Sequence, residues 1–270
     1  MVVVDRVIPP YDREAAVDYA ENGAEETLRR ISSNVGLCGL DRLEGVSKDD
    51  RCLILFGHTA MKDYPLSQYA LIKAGLPPTR VVGGMNLDNW LFRAMFGLDF
   101  SKFGMYWHDK GCNLRDFERD NFSIIRKLLE RGESLAEFPE GTRNRHPENG
   151  PLIFKKGFIR GFLAAQDELG FDGKLICAAM YHEKIPERQF YWLTDGGRKG
   201  DLRYYLGDLF AYLNGRLMTD KGASYINFGF PKSLRKVAEE GDLKRRASRV
   251  SEFSREEVRR LYEEVSSDSE

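Results

Sequence analysis

The sequence predicts an α/β fold, with a mixed, largely parallel central sheet flanked by helices. Three observations predict it. Short apolar runs bounded by charge or glycine recur along the chain, as in strands buried on both faces. Amphipathic helical stretches alternate with those runs, which places helices on both sides of the sheet. The chain has 270 residues, 42% of them hydrophobic and 31% charged, enough to close a substantial core.

Residues 12–31 have helical spacing, with Val17, Ala20, Leu28 and Ile31 as inward positions. Gly36, Gly39 and Gly45 break that pattern. Cys52-Leu53-Ile54-Leu55-Phe56 is a continuous apolar run and reads as a buried strand. Pro65 falls where a helix opens, and residues 66–74 continue it. Arg80-Val81-Val82 reads as a further short strand, as do residues 103–107. Residues 87–100 are dense in large apolar side chains and read as ordinary core, with an acyl channel or bilayer contact as the sharper alternative.

An amphipathic helix is expected over 117–130, with Phe117, Ile124, Ile125, Leu128 and Leu129 on one side and Gly132 as its stop. Residues 134–137 form a short strand, 157–169 a helix and 175–180 an apolar strand. A helix over 202–213 and a late strand over 224–228 follow. Ser254 with Glu257 fits a capping box, ahead of Val258, Leu261, Tyr262 and Val265 on one face. These elements group into an N-terminal helical segment over 1–50, a main domain over 51–232 and a C-terminal helical extension with a frayed tail over 233–270.

The formal net charge of −1, from 41 basic and 42 acidic residues, argues against broad nucleic-acid binding. Cys38, Cys52, Cys112 and Cys177 lie far apart and form no Cys-x-x-Cys pair, so neither a disulfide framework nor a zinc site is expected. Met1-Val2-Val3-Val4 runs at once into Asp5 and Arg6, too short for a secretory leader, and no uninterrupted apolar run reaches membrane-spanning length. The basic stretch Lys244-Arg245-Arg246 with Arg249 is interspersed with acids and reads as a solvated helix face before it reads as a headgroup contact.

Two stretches carry chemistry. The first, Phe56 through Asp63, holds His58 and, five residues on, Asp63. On one continuous helix such positions point well apart, because each residue turns the chain by about 100°. A strand ending at Phe56, a loop and a helix near Pro65 would fold the pair together. Asp63 would then hold one imidazole nitrogen and leave the other to take a proton from an alcohol. The plainer reading is a histidine that closes a strand and an aspartate that caps the next helix. His182 and Glu187 share the same spacing, which shows how easily it arises by accident.

The second stretch, Phe138-Pro139-Glu140-Gly141-Thr142-Arg143-Asn144-Arg145, is more specific. It follows a strand, at the sheet edge where α/β proteins place ligands. Gly141 permits a tight turn, Arg143 offers a fork to a phosphate, and Glu140 can receive a hydroxyl or pin an arginine.

His58-x-x-x-x-Asp63 followed by Phe138-Pro139-Glu140-Gly141-Thr142-Arg143 resembles the phospholipid and glycerol-phosphate acyltransferase family, nearest to its glycerol-3-phosphate acyltransferases. Gly83-Gly84-Met85-Asn86-Leu87 and residues 104–110 resemble the family's second block. Phe154-Lys155-Lys156-Gly157 and Cys177-Ala178-Ala179-Met180-Tyr181 resemble its downstream segments. Two positions depart. Asp109 and Lys110 stand where the family carries a phosphate-binding arginine, and Cys177 or Ala178 where it usually has proline. Lys110 offers charge as a point, not a fork, and Asp109 repels a phosphate.

The resemblance implies a glycerol-3-phosphate acyltransferase-like form of the α/β fold. It implies transfer of a fatty acyl group from a thioester, acyl-CoA or acyl carrier protein, to the hydroxyl of glycerol-3-phosphate or a lysophospholipid, with no cofactor and no metal. His58 is then the general base, oriented by Asp63, with Glu140 beside them. The turn at Gly141 and Thr142 supplies backbone amides to the oxyanion. Arg143, Lys110, Arg145 and Lys156 hold the acceptor phosphate. The expected location is cytoplasmic, with transient contact at the inner membrane face. Two alternatives stay open: a thioesterase or lipid hydrolase, in which water replaces the alcohol, and a non-catalytic lipid- or acyl-carrier-binding protein on the same scaffold.

Overall fold

The computed structural model describes residues 10–84, 105–108, 114–144, 146–185, 188 and 221–267. The apolar stretch 87–100 and the helix expected over 202–213 lie outside them. Among the described residues eight strands form one mixed sheet: β1 (Asn34–Cys38), β2 (Cys52–Phe56), β3 (Thr79–Gly84), β4 (Met105–His108), β5 (Ser134–Glu137), β6 (Lys174–His182), β7 (Ala223–Phe228) and β8 (Lys232–Ser233). Their order is β1-β7-β6-β2-β5-β3-β4, with β8 paired to β6. Pairing is parallel except where β6 meets β7 and β8. Long crossovers are needed to join parallel neighbours, and helices supply them.

The helices are α1 (Arg13–Asp18), α2 (Ala24–Arg29), α3 (Asp63–Lys73), α4 (Leu114–Glu130), α5 (Gly157–Leu169), α6 (Leu234–Ala238) and α7 (Leu243–Ser267). A π turn over Tyr19–Gly23 joins α1 to α2, so the helical stretch expected over 12–31 is one rod with a wide turn in it. The same N-terminal segment also supplies β1, an edge strand parallel to β7. Its burial is only partial, which is why no clear apolar run announces it.

The continuous apolar run of β2 follows from its place in the middle of the sheet. Ile54 and Phe56 point into a core with Tyr19, Leu28, Leu66 and Leu71, from the α1–α3 layer. Leu53 and Leu55 point the other way, into a core with Leu129, Ile159, Phe162, Val258 and Leu261, from α4, α5 and α7. All five β2 residues are buried, because neither face is left for water.

The capping box expected at Ser254 is corrected by the structure. Ser254 is fully buried in the middle of α7, which begins eleven residues earlier. The helix start is at Asp242, whose Oδ1 accepts from the amide of Arg245 at 2.9 Å. Ala247, Val250, Val258, Leu261 and Val265 form one buried stripe, and packing of that stripe carries the helix through the serine. The basic stretch on α7 is occupied by acids: Arg246 pairs with Asp167 at 3.0 Å and Arg249 with Glu239 at 3.1 Å. Lys244 and Arg245 are exposed, whereas the Arg246 side chain is only 13% exposed.

Candidate active site

The two motifs meet because their strands are neighbours. Leu55 of β2 stands beside Glu137 of β5, so both loops leave the sheet at the same carboxyl edge. α3 carries the chain away from β2 on one face and α5 carries it away from β5 on the other. The loops open between those departures, at the kind of crevice where α/β sheets bind ligands. The amide of Asn144 donates to the carbonyl of His58 at 2.6 Å, which ties one loop to the other.

Within the first loop, α3 begins at Asp63 itself, two residues before the expected start at Pro65. Proline is tolerated in that first turn because its missing N–H has no partner there in any case. Asp63 turns its carboxylate back over the loop. Oδ2 accepts from the amides of Thr59 at 2.7 Å and Ala60 at 2.9 Å, and faces Nδ1 of His58 at 2.9 Å. The backbone reversal demanded by the five-residue spacing is thus held by the aspartate that it positions. The His58 ring sits between Phe138 and Tyr64, with centroids 4.7 Å and 5.2 Å away. Only 4% of His58 is exposed and none of Asp63.

Sequence reasoning set aside the residue that completes this pair. β6 runs on for four residues past Ala178, the partner of Phe56, and ends at His182. Nε2 of His182 lies 2.6 Å from the other oxygen of Asp63, Oδ1. Its Nδ1 lies 2.9 Å from Oγ of Ser224, its partner across the antiparallel β6–β7 pair. The only trace of this in the sequence is a histidine at the end of an apolar strand. Its spacing to Glu187, which lies outside the described residues, points nowhere useful.

Charge at the site is set by burial and partners. Burial pushes the Asp63 carboxyl up, but His182 and then His58 pull it down further, and the net effect holds it well below the ordinary carboxylate range. An ionised carboxylate only accepts, so each imidazole nitrogen facing it carries the hydrogen. For a neutral His58 that leaves Nε2 unprotonated, as a base requires.

Glu140 behaves in the opposite way. Only 3% exposed, it is pushed up to about 8, chiefly by burial and also by the Asp63 charge; backbone hydrogen bonds from His58 and Leu152 oppose this. The amide of Gly141 closes the turn on the carbonyl of Phe138 at 2.9 Å, and Gly141 has φ of +65°. A Cβ at Gly141 would displace the flexible end of Lys155, 2.5 Å away at Nζ, and the positive φ strains any side chain there. Thr142 is exposed, and Arg143 is partly exposed on the same loop. Lys156 points to α7 and donates to Oγ of Ser248 at 2.9 Å, while its neighbour Lys155 is the ammonium over the Gly141 turn. Lys110 and Arg145 lie outside the described residues.

Among the described residues no cluster of histidine, cysteine, aspartate and glutamate is arranged to hold a metal ion, and no helix is long and apolar enough to cross a membrane. Cys38, Cys52 and Cys177 are free thiols.

Comparison with known proteins bears on the family of the chain. A curated glycerol-3-phosphate acyltransferase of Colwellia psychrerythraea is 24% identical over 213 residues, 76% of this chain. The chain's match spans about 25% of that relative's length. Among solved structures, the 1-acyl-sn-glycerophosphate acyltransferase PlsC of Thermotoga maritima is similar over 92% of this chain and 83% of its own, with 18% identity and a TM-score of 0.47. Residues 40–180 match the Acyltransferase family, a span that takes in His58, Asp63, the Glu140–Arg143 turn and all of β2 to β5, and the chain belongs to that family.

Proposed function

We propose that the chain moves a fatty acyl group from an acyl thioester, acyl-CoA or acyl carrier protein, to the hydroxyl of glycerol-3-phosphate or a lysophospholipid. The observation that carries this reading is the His58–Asp63 hydrogen bond of 2.9 Å, on a loop bonded directly to the Glu140–Arg143 turn. Asp63 holds Nδ1–H of His58, and Nε2 takes the proton of the acceptor hydroxyl. The oxygen attacks the thioester carbonyl, giving a tetrahedral oxyanion. Collapse of that intermediate breaks the carbon–sulfur bond, and the departing thiolate recovers the proton from His58. The chemistry needs no covalent enzyme intermediate.

The amide of Gly141 is committed to the carbonyl of Phe138, so within this turn the amide of Thr142 would meet the oxyanion. Arg143 grips the acceptor phosphate, and Lys110, Arg145 and Lys155 add positive charge around it, Lys155 taking the part expected of Lys156, whose ammonium is held by Ser248. A largely neutral Glu140 spares the phosphate the repulsion that a second carboxylate beside Asp63 would bring. A phosphate-bearing glycerolipid is reached at a membrane surface, which makes the protein a peripheral visitor there.

The test is a purified-protein assay with a long-chain acyl thioester and a panel of glycerol-phosphate acceptors, reading thiol release and the lipid product by mass. Acyl transfer that depends on the acceptor is expected. Thiol release of equal rate without acceptor would mean hydrolysis, and no turnover with any donor would leave only binding. His58→Ala is expected to keep the fold and lose transfer by about 10²–10⁴-fold.

A further inference from the structure

On the other side of Asp63 from His58 lies a second buried imidazole that the mechanism so far does not use. The His182 side chain has no exposed surface, so it cannot touch a substrate. At 2.6 Å its contact with Asp63 is nonetheless shorter than the 2.9 Å contact of His58. Behind it runs a chain of hydroxyls. Nδ1 of His182 meets Oγ of Ser224 at 2.9 Å, and Ser224 meets Oγ of Ser32 at 3.0 Å. Ser32 ends the chain on two carbonyl oxygens, those of Asn34 at 2.7 Å and Gly222 at 3.0 Å.

This arrangement supports the imidazole in one orientation. The single hydrogen of Ser32 goes to a carbonyl, so its oxygen is free to accept from Ser224. Ser224 can therefore donate to Ser32 or to His182, and Nδ1 of His182 is satisfied whether it carries a hydrogen or not. Nε2–H stays on Asp63 in both cases. The carboxylate is then held from four sides: two amides and His58 on Oδ2, His182 on Oδ1. Without His182, Oδ1 would be a buried carboxylate oxygen short of its donor, and the carboxylate would be held from the Oδ2 side alone, which loosens its grip on the His58 ring.

We propose that His182 is a positioning residue of the acyl-transfer site, which locks the Asp63 carboxylate through Nε2–H and so fixes the orientation and tautomer of His58. The proposal rests on the function proposed above only for its kinetic readout; the network itself can be tested in the resting protein.

His182→Gln keeps an N–H donor that reaches Asp63, whereas His182→Leu removes it. Outer partners that orient metal-bound imidazoles are worth about 10- to 100-fold, and an effect of the same order is expected for a partner that orients His58 through Asp63. His182→Leu is therefore expected to lose about 30-fold in kcat, with the acceptor KM within about threefold of wild type. His182→Gln is expected to stay within about tenfold of wild type and to outperform the leucine variant. In histidine-labelled protein without substrate, the Nδ1–H resonance of His58 should shift or broaden in His182→Leu and return in His182→Gln.

Wild-type kcat and an unchanged His58 resonance in folded His182→Leu would overturn the assignment. If the leucine variant does not fold, the glutamine variant decides: kcat within tenfold of wild type supports the role, and a greater fall overturns it. Absence of acyl transfer in the wild type would sink the proposed function and leave the resonance experiment to judge the network by itself.

Discussion

Replacing Glu140 by glutamine gives a test in which sign and size both follow from the site. The folded protein holds the Glu140 carboxyl at about 8, against 4.5 for the ordinary side chain. The folded state therefore binds this proton more tightly than the unfolded chain does. Its contribution to stability is complete below about pH 4.5, drains away as the pH rises toward 8, and is flat beyond. At about 1.4 kcal/mol per pH unit, the interval from 4.5 to about 8 corresponds to about 5 kcal/mol at most. Relaxation around the charged form brings the expected change to about 2–4 kcal/mol, a large share of the 5–15 kcal/mol that holds an ordinary domain together.

Glutamine keeps an oxygen to accept from the amides of His58 and Leu152 but cannot ionise. Urea unfolding of both proteins at pH 5 and pH 9, followed by circular dichroism, is the assay. Other titrating groups are common to the two, so their difference isolates Glu140. At pH 5 the two should agree within about 1 kcal/mol, and at pH 9 Glu140→Gln should be the more stable by about 2–4 kcal/mol. Equal pH slopes, or a wild type that is the more stable at pH 9, would refute the view that burial keeps this carboxyl protonated.

Asp63, held below the ordinary carboxylate range, follows the opposite sign. Its stabilising contribution is complete above about pH 4 and is lost as pH falls toward the lower folded value. Asp63→Asn should cost about 3 kcal/mol at pH 7, with the deficit narrowing as pH drops toward 2, read by denaturant midpoints; a deficit that ignores pH would contradict the charge assigned to it. Away from the site, Arg80 is wholly buried, 2.7 Å from Glu133 and under the ring of Tyr11. Arg80→Met leaves the buried Glu133 carboxylate to the more distant, half-exposed Arg131, 3.7 Å away, and should cost about 3 kcal/mol in urea unfolding, while Arg80→Met with Glu133→Leu should recover most of it. A single variant as stable as the double would show that the pair is solvated.

Residues close in the chain determined much of this protein from sequence alone. Cys52 to Phe56 had to be a strand covered on both sides, because five apolar residues in a row leave no face for water. Gly132, with φ of +77°, ends α4 where expected. The His58–Asp63 pairing was readable too, since a turn is the only way five residues can bring those side chains into contact. What the tertiary structure decided depends on register between distant strands. His182 reaches Asp63 across 119 positions only because β6 pairs with β2 and overruns it by four residues. Ser254 lies inside a helix, not at its start, because the stripe it shares with Val250 and Val258 is buried against β6 and α5. Side-chain spacing records what a segment can form locally; which distant segment lies beside it is fixed by strand pairing and core packing, which no single stretch of sequence contains.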